Sequence, residues 1–165
     1  MKEVILAVGN TMNGDDGIGY YVLEQIKLYM HKAEGRVTTP PIKCSRGEIV
    51  TIDGGTTPEN YTSVIRKQQP DRLVLVDAAE MGLSPGSYRI ITPEHMGVMT
   101  ISTHNMPLSL FVSYVSQFCE EVLLLGIQPK RMDVDTTLSA ELRRAGEQLA
   151  TLIVNHRLKQ VQIFR

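Results

Sequence analysis

Two uninterrupted aliphatic runs, Val4-Ile5-Leu6-Ala7-Val8 and Leu73-Val74-Leu75-Val76, constrain this chain more than any other feature. A strand with one solvated face alternates apolar and polar residues, so a run without polar interruption must be covered on both faces. After the first run the apolar spacing turns helical: Ile18, Val22, Ile26, Tyr29 and Met30 predict a helix of about fifteen residues. Short apolar runs alternating with helical segments are the pattern of crossover units that build a parallel sheet. The expected fold class is therefore α/β, a three-layer sandwich. Its twisted, mostly parallel sheet of about five strands has one antiparallel or edge strand and helices on both faces.

The other elements follow from local signals. Glu48 to Asp53 alternates and reads as the second main strand. Thr57-Pro58-Glu59 opens a helix with a hydroxyl N-cap, proline at the first position and an acid in the first turn, and that helix ends near Gln69. Arg72 to Asp77 is a strand ending on an acid. Ser87 to Ile91, entered through a Pro85-Gly86 turn, follows too closely for a crossover helix and reads as an antiparallel or edge strand. A helix near Pro107 carries Leu108, Phe111, Val112, Val115 and Phe118, and Val122 to Ile127 is the last buried strand. Thr137 or Ser139 caps a final helix with Leu142, Leu149, Leu152 and Ile153 on one side. Lys32 to Gly47, with Pro40-Pro41, reads mainly as loop with room for one edge strand. A length of 165 residues suits one domain over 1–165 and leaves no room for a second.

Charge and cysteine usage exclude several function classes. Lys+Arg at 17 against Asp+Glu at 18 leaves a net charge of -1, so no long-range field draws the chain onto nucleic acid or an anionic membrane. The opening apolar run is too short for a signal-peptide core or a membrane span, and a cytoplasmic location is expected. Cys44 and Cys119 lie outside any C-x-x-C pattern, which excludes a zinc ribbon or a redox motif. Cys119 reads as a buried apolar helix residue, and Cys44 as a loop thiol that is either free or bridged to Cys119.

In an open α/β sheet, ligands bind in the crevice beyond the carboxyl ends of the parallel strands. Three places there carry chemistry: the stretch Gly9 to Gly19 with Asp15-Asp16, then Asp77, and then His104 before the helix near Pro107. If the first and third strands are neighbours, Asp16 and Asp77 face each other across the mouth of the sheet. Two carboxylates and an imidazole offer oxygen and nitrogen ligands to a divalent ion and leave positions open for water or substrate. Such an ion polarises a carbonyl or acidifies a water, and no Ser-His or Cys-His pattern offers covalent catalysis instead.

Each residue also has a plainer reading. Asp15 or Asp16 fits a helix cap, Asp77 a turn, and His104 a helix entry satisfied by backbone, so chemistry alone leaves both accounts open. The glycine-rich loop has a rival reading as a phosphate cradle, but it lacks both G-x-x-x-x-G-K-[ST] and G-x-G-x-x-G, and its paired acids repel a phosphate. Glu59 and Asn60 either line the crevice or cap a helix. His31, His95 and His156 read as solvated surface residues.

At these residues the sequence resembles the hydrogenase maturation endopeptidases, particularly the group serving formate-hydrogenlyase-type hydrogenases. The matching stretches are Gly9-Asn10 through Asp15-Asp16-Gly17-Ile18-Gly19, Ile52-Asp53-Gly54-Gly55 with Pro58-Glu59-Asn60, and Val76-Asp77-Ala78 with Met81-Gly82-Leu83 and Pro85-Gly86. Thr103-His104-Asn105-Met106-Pro107-Leu108 and Leu125-Gly126-Ile127-Gln128-Pro129 complete them in the family's order. The resemblance implies that Asp16, Asp77 and His104 bind metal and that Asp16 and Asp77 take part in catalysis. It implies a substrate too, the precursor of a nickel-iron hydrogenase large subunit, from which a C-terminal extension is cut after nickel insertion. The metal is then nickel supplied by the substrate, with zinc or cadmium as stand-ins in the isolated protein, which is expected to be a monomer. The family is also classed with aspartic-type endopeptidases, so the carboxylates serve either as ligands or as general base.

Two features depart from the family pattern: Lys32 to Gly47 is long, and Lys130-Arg131-Met132-Asp133-Val134-Asp135 lacks aromatics. Both bear on which large subunit is chosen. A non-catalytic nickel-sensing chaperone would use the same three residues, and a small-molecule hydrolase is disfavoured by the lack of a basic or aromatic substrate pocket.

Overall fold

The computed structural model describes residues 1–30, 35–38, 41–99, 106–135 and 137–165. Six strands form one sheet: β1 (Lys2–Ala7), β2 (Ile42–Cys44), β3 (Gly47–Asp53), β4 (Arg72–Ala78), β5 (Tyr88–Ile91) and β6 (Glu121–Ile127), in the order β2-β3-β1-β4-β6-β5. The four inner strands are parallel, and β2 and β5 are antiparallel at the two edges. The sheet thus has one strand more than expected, because the 32–47 stretch supplies the three-residue edge strand β2. As the unbroken apolar runs require, β1 and β4 are the two central strands, and Val4, Ile5, Leu6, Leu73, Val74, Leu75 and Val76 are all fully buried.

Strand pleat sends these residues alternately to two cores. Ile5, Val74 and Val76 pack with α1 (Ile18–Tyr29) and α5 (Ala140–Val154) through Ile18, Val22, Leu142 and Leu149. Leu6, Leu73 and Leu75 pack on the opposite face with α2 (Thr62–Gln68), α3 (Pro93–Met99) and α4 (Leu108–Val115) through Ile65, Met96, Leu108 and Phe111. The three-layer architecture is therefore as expected. Helix α3 was not foreseen from its short sequence. No helix among the described residues is long and apolar enough to cross a membrane.

Several local expectations are corrected. α1 has 12 residues, and Tyr29 is 54% exposed rather than on the buried stripe. The Thr57 hydroxyl makes no capping bond; the segment opens as a 3-10 turn, Pro58–Tyr61, before α2. Both cysteines are free, and they pack on opposite faces of the sheet, which rules out a bridge. Cys119 is buried, but it lies after α4 rather than within a helix. His156 is not a surface residue. Its side chain is 3% exposed and its Nδ1 lies 2.7 Å from Glu3 Oε2, while Arg72 Nη1 donates to Glu3 Oε1 at 2.8 Å. The fully buried Glu3 carboxylate thus meets the Arg72 guanidinium on one oxygen and the His156 imidazole on the other at the start of β1. His95 is half-buried, edge-on to Phe164, and His31 lies outside the described residues.

Glycine sets how closely α1 meets the sheet. A Cβ on Gly19 would stand 2.6 Å from the Val76 carbonyl oxygen and 2.9 Å from that of Val8, so the first turn of α1 rests directly on the carboxyl ends of β1 and β4. Replacing Gly19 with alanine forces this turn off two strands at once. Gly19→Ala should lower the unfolding free energy by about 2 kcal/mol, read by urea denaturation. Unchanged stability would show that the contact is loose.

Candidate active site

Strand order creates the crevice. From β1 the chain crosses through α1 to β3 on one side, whereas β4 continues toward β6 on the other, so connections diverge between the carboxyl ends of β1 and β4. In an open α/β sheet this switch point is where ligands bind. The register pairs Ala7 with Val76, which sets Asp77 at the end of β4 beside the residue that follows β1. Pleat places Asp77 on the face of Leu73, Leu75 and Ala79, the face covered by α4. Its residue is 2% exposed.

Asp16 arrives from the other side of the crevice. After β1 the chain folds back through a 3-10 turn, Gly14–Gly17, which contacts β4. Asp16 is 5% exposed, and its Oδ2 accepts the Asn10 amide at 2.9 Å. Gly9, at φ +126°, is required here because a Cβ would collide with the Asp16 carbonyl oxygen. The structure therefore brings Asp16 and Asp77 to the same switch point. His104 lies outside the described residues, but Met106 and α4, which follow it directly in sequence, pack on the face that holds Asp77. Among the described residues no group of three His, Cys, Asp or Glu is arranged to hold a metal ion.

The adjacent acid has a different task. Asp15 is fully buried, and its Oδ1 accepts the Ser139 amide at 2.8 Å while its Oδ2 accepts the amides of Lys130 and Arg131 at 2.8 and 3.0 Å. The Ser139 hydroxyl also bonds this carboxylate. Ser139 is the N-cap residue of α5, but its hydroxyl serves Asp15 instead of the helix, and neither Asp15 nor Asp16 caps the turn it sits in. Asp15 thus ties the 130–139 segment to the loop bearing Asp16. Adjacent side chains in a tight turn diverge, which is the signal that only one acid of an Asp-Asp pair faces the crevice.

The loop amides decide against a phosphate cradle. Those of Gly9, Asn10, Met12, Asn13, Gly14, Asp15 and Asp16 all donate to protein acceptors. An anion would have to displace those bonds.

Two further features were not anticipated. A polar cleft of about 320 Å³ adjoins the crevice, lined by Asn10, Thr11, Arg36, Asp53, Thr56 and Thr57 with Gly9, Gly54 and Gly55. Arg36 Nη1 donates to the Tyr61 hydroxyl at 3.1 Å, and no sequence motif marked this arginine. Gln128 is buried just beyond β6; its Oε1 accepts the amides of Met81 and Leu83 at 2.7 and 3.2 Å, and its Nε2 donates to Glu80 at 2.9 Å. It holds the turn that follows Asp77. Its place in the Gly126-Ile127-Gln128-Pro129 stretch was the available signal.

Burial pushes the Asp15 carboxyl up, but the amides of Ser139, Arg131 and Lys130 and the Ser139 hydroxyl outweigh it and hold the group below the usual carboxylate range. A carboxyl lowered on folding contributes stability that is fully present above pH about 4 and is lost as pH falls through the folded value. Asp15→Asn should therefore cost about 3 kcal/mol at neutral pH, and the gap to wild type should shrink as the medium is acidified below pH about 4. Urea denaturation across pH measures both. Equal stability at neutral pH would contradict the staple.

The comparisons with known proteins place the chain in a family. The family model for hydrogenase maturation protease matches residues 20–156, a span that contains Asp77 and His104 and begins just after Asp16. The hydrogenase 3 maturation protease of Escherichia coli (strain K12) is 41% identical over 133 residues, which is 78% of this chain and 74% of that one. A crystal structure of the hydrogenase 3 maturation protease matches with a TM-score of 0.81 at 32% identity, covering 100% of this chain and 97% of that one. The [NiFe] hydrogenase maturation protease HycI from Thermococcus kodakarensis KOD1 matches with a TM-score of 0.75 at 29% identity, covering 94% and 92%. The family model covers most of the chain, and the chain belongs to the hydrogenase maturation proteases, a family of endopeptidases.

Proposed function

We propose that this protein, as one domain and a cytoplasmic monomer, removes the C-terminal extension from the precursor of a nickel-iron hydrogenase large subunit after nickel insertion. In this reading Asp16, Asp77 and His104 receive the nickel carried by the substrate. The observation that supports it is that two buried carboxylates, Asp16 from the 3-10 turn after β1 and Asp77 from β4, lie at the β1–β4 switch point. Ionised carboxylates are acceptor-only groups, and their pairing with an imidazole makes a mixed oxygen and nitrogen donor set with positions left open, which fits a divalent ion that also holds substrate ligands. Zinc or cadmium would suit the same donors in the isolated protein.

A bound metal supplies Lewis acidity toward the scissile carbonyl. The rest is done by the chain. Asp16 and Asp77 orient the peptide bond at the mouth of the sheet, and whichever carboxylate oxygen remains outside the ligand set positions the attacking water and accepts its proton. The Asn10 amide fixes one oxygen of Asp16, which leaves a single orientation for the other. Membership in a protease family favours cleavage over the alternative of a nickel sensor that binds without cutting.

The test is incubation with a nickel-loaded large-subunit precursor, followed by gel and mass analysis for loss of the C-terminal peptide. Wild type should shorten the precursor. Asp16→Asn, Asp77→Asn and His104→Ala should each slow processing by about 100-fold or more, while the exposed Arg157→Ala should leave it unchanged. Intact precursor after prolonged incubation with wild type would overturn the function, and equal rates in all variants would overturn the site.

A further inference from the structure

The chain segment 162–165 lies along the outer edge of β5. The Ile90 amide donates to the Gln162 carbonyl at 2.9 Å, and the Phe164 amide donates to the Ile90 carbonyl at 2.8 Å. Phe164 also packs against the core on the α4 face and lies edge-on to His95, so the segment is held by backbone and side chain together. Beside it opens a pocket of about 540 Å³, lined by Leu83, Arg89, Gln162, Ile163, Phe164 and Arg165. Its charged walls are both arginines. Arg89 Nη1 donates to the Tyr88 carbonyl at 2.8 Å, and neither arginine meets a carboxylate among the described residues.

Strand register ties this pocket to the switch point. Asp77 pairs with Gly126 and Gly126 with Arg89, so the three stand in one row on the same face of β4, β6 and β5. Two strand spacings, roughly 10 Å, separate the first from the last. Leu83, another wall of the pocket, belongs to the turn after Asp77 that Gln128 holds.

We propose that this pocket is a subsite for one acidic side chain of the substrate polypeptide, and that Arg89 is the residue that selects it. The inference rests on the polypeptide substrate proposed above. An extended chain advances about 3.3 Å per residue, so one cut at the switch point presents to Arg89 a side chain about three to five residues from the scissile bond. A planar guanidinium takes a carboxylate through paired N–H donors, and Arg89 has committed only one terminal nitrogen to its own backbone. Leu83, Ile163 and Phe164 supply apolar surface for the stem of the acid, and Arg165 adds a second positive charge. A basic side chain would meet like charge, and a neutral one would leave both arginines without a counter-charge. Arg89 is here a specificity residue, separate from the carboxylates at the switch point.

Binding and cleavage are measured separately, with the nickel-loaded large-subunit precursor as the probe. Arg89→Gln should weaken precursor binding by about ten-fold while its urea unfolding midpoint stays at that of wild type. Arg165→Gln, at an exposed position, should weaken it by about three-fold. Arg89→Glu should weaken binding further, and one precursor in a set with single aspartates or glutamates changed to lysine should bind this variant again. Wild-type affinity in Arg89→Gln, or failure of every charge-exchanged precursor to recover, overturns the subsite. A wild-type protein that binds the precursor without cutting it counts against the peptidase function and leaves the subsite to be decided by the binding arms. Failure of wild type to bind overturns both.

Discussion

Parallel pairing of β1 with β4 is the constraint on which the remainder of the structure depends. Both strands carry an uninterrupted aliphatic run, so each must lie inside the sheet with helices above and below, and placing them side by side puts the divergence of chain connections between them. The crevice is a consequence of that order. Whatever follows β1 and ends β4 is then brought to one place, and in this chain those residues are the Gly9 to Gly19 loop and Asp77. Gly19 is part of the same constraint, because only a residue without a Cβ lets α1 start directly on the two strand ends.

The loop after β1 shows how a tight turn divides two adjacent acids between structure and chemistry. Asp15 turns away from the crevice and collects three amides and a hydroxyl, while Asp16 stays at the sheet edge, anchored by one amide from Asn10. A buried carboxylate with that many donors is fixed in its charged form, which suits a staple and unsuits it for proton transfer. Gln128 does similar work with a neutral side chain on the turn after Asp77. The candidate site is thus framed by buried polar groups whose bonds are directed at backbone.

Periodicity carried the fold: uninterrupted runs identified the central strands, and helical spacing identified α1, α4 and α5. The second antiparallel edge was only half visible, because a three-residue strand gives no period of its own. Asp16 and Asp77 were legible as candidates because they sit just after strands, but their proximity needed the strand order, which spacing along the chain does not encode. The staple role of Asp15 was illegible since its partners lie more than a hundred residues away. His156 was misread for the same reason: polar neighbours in sequence suggested solvent, whereas Glu3, at the other end of the chain, draws it inside. Long-range polar pairing leaves no local trace.

If Asp16, Asp77 and His104 share the metal of the substrate, the metal itself reports it. Nickel K-edge X-ray absorption should be recorded on the nickel-loaded precursor alone and in complex with the protein, with complex formation verified independently. Added oxygen and nitrogen scatterers in the complex, lost when Asp16 is replaced by asparagine, are the predicted result. An unchanged nickel environment in a verified complex would contradict the shared-metal site.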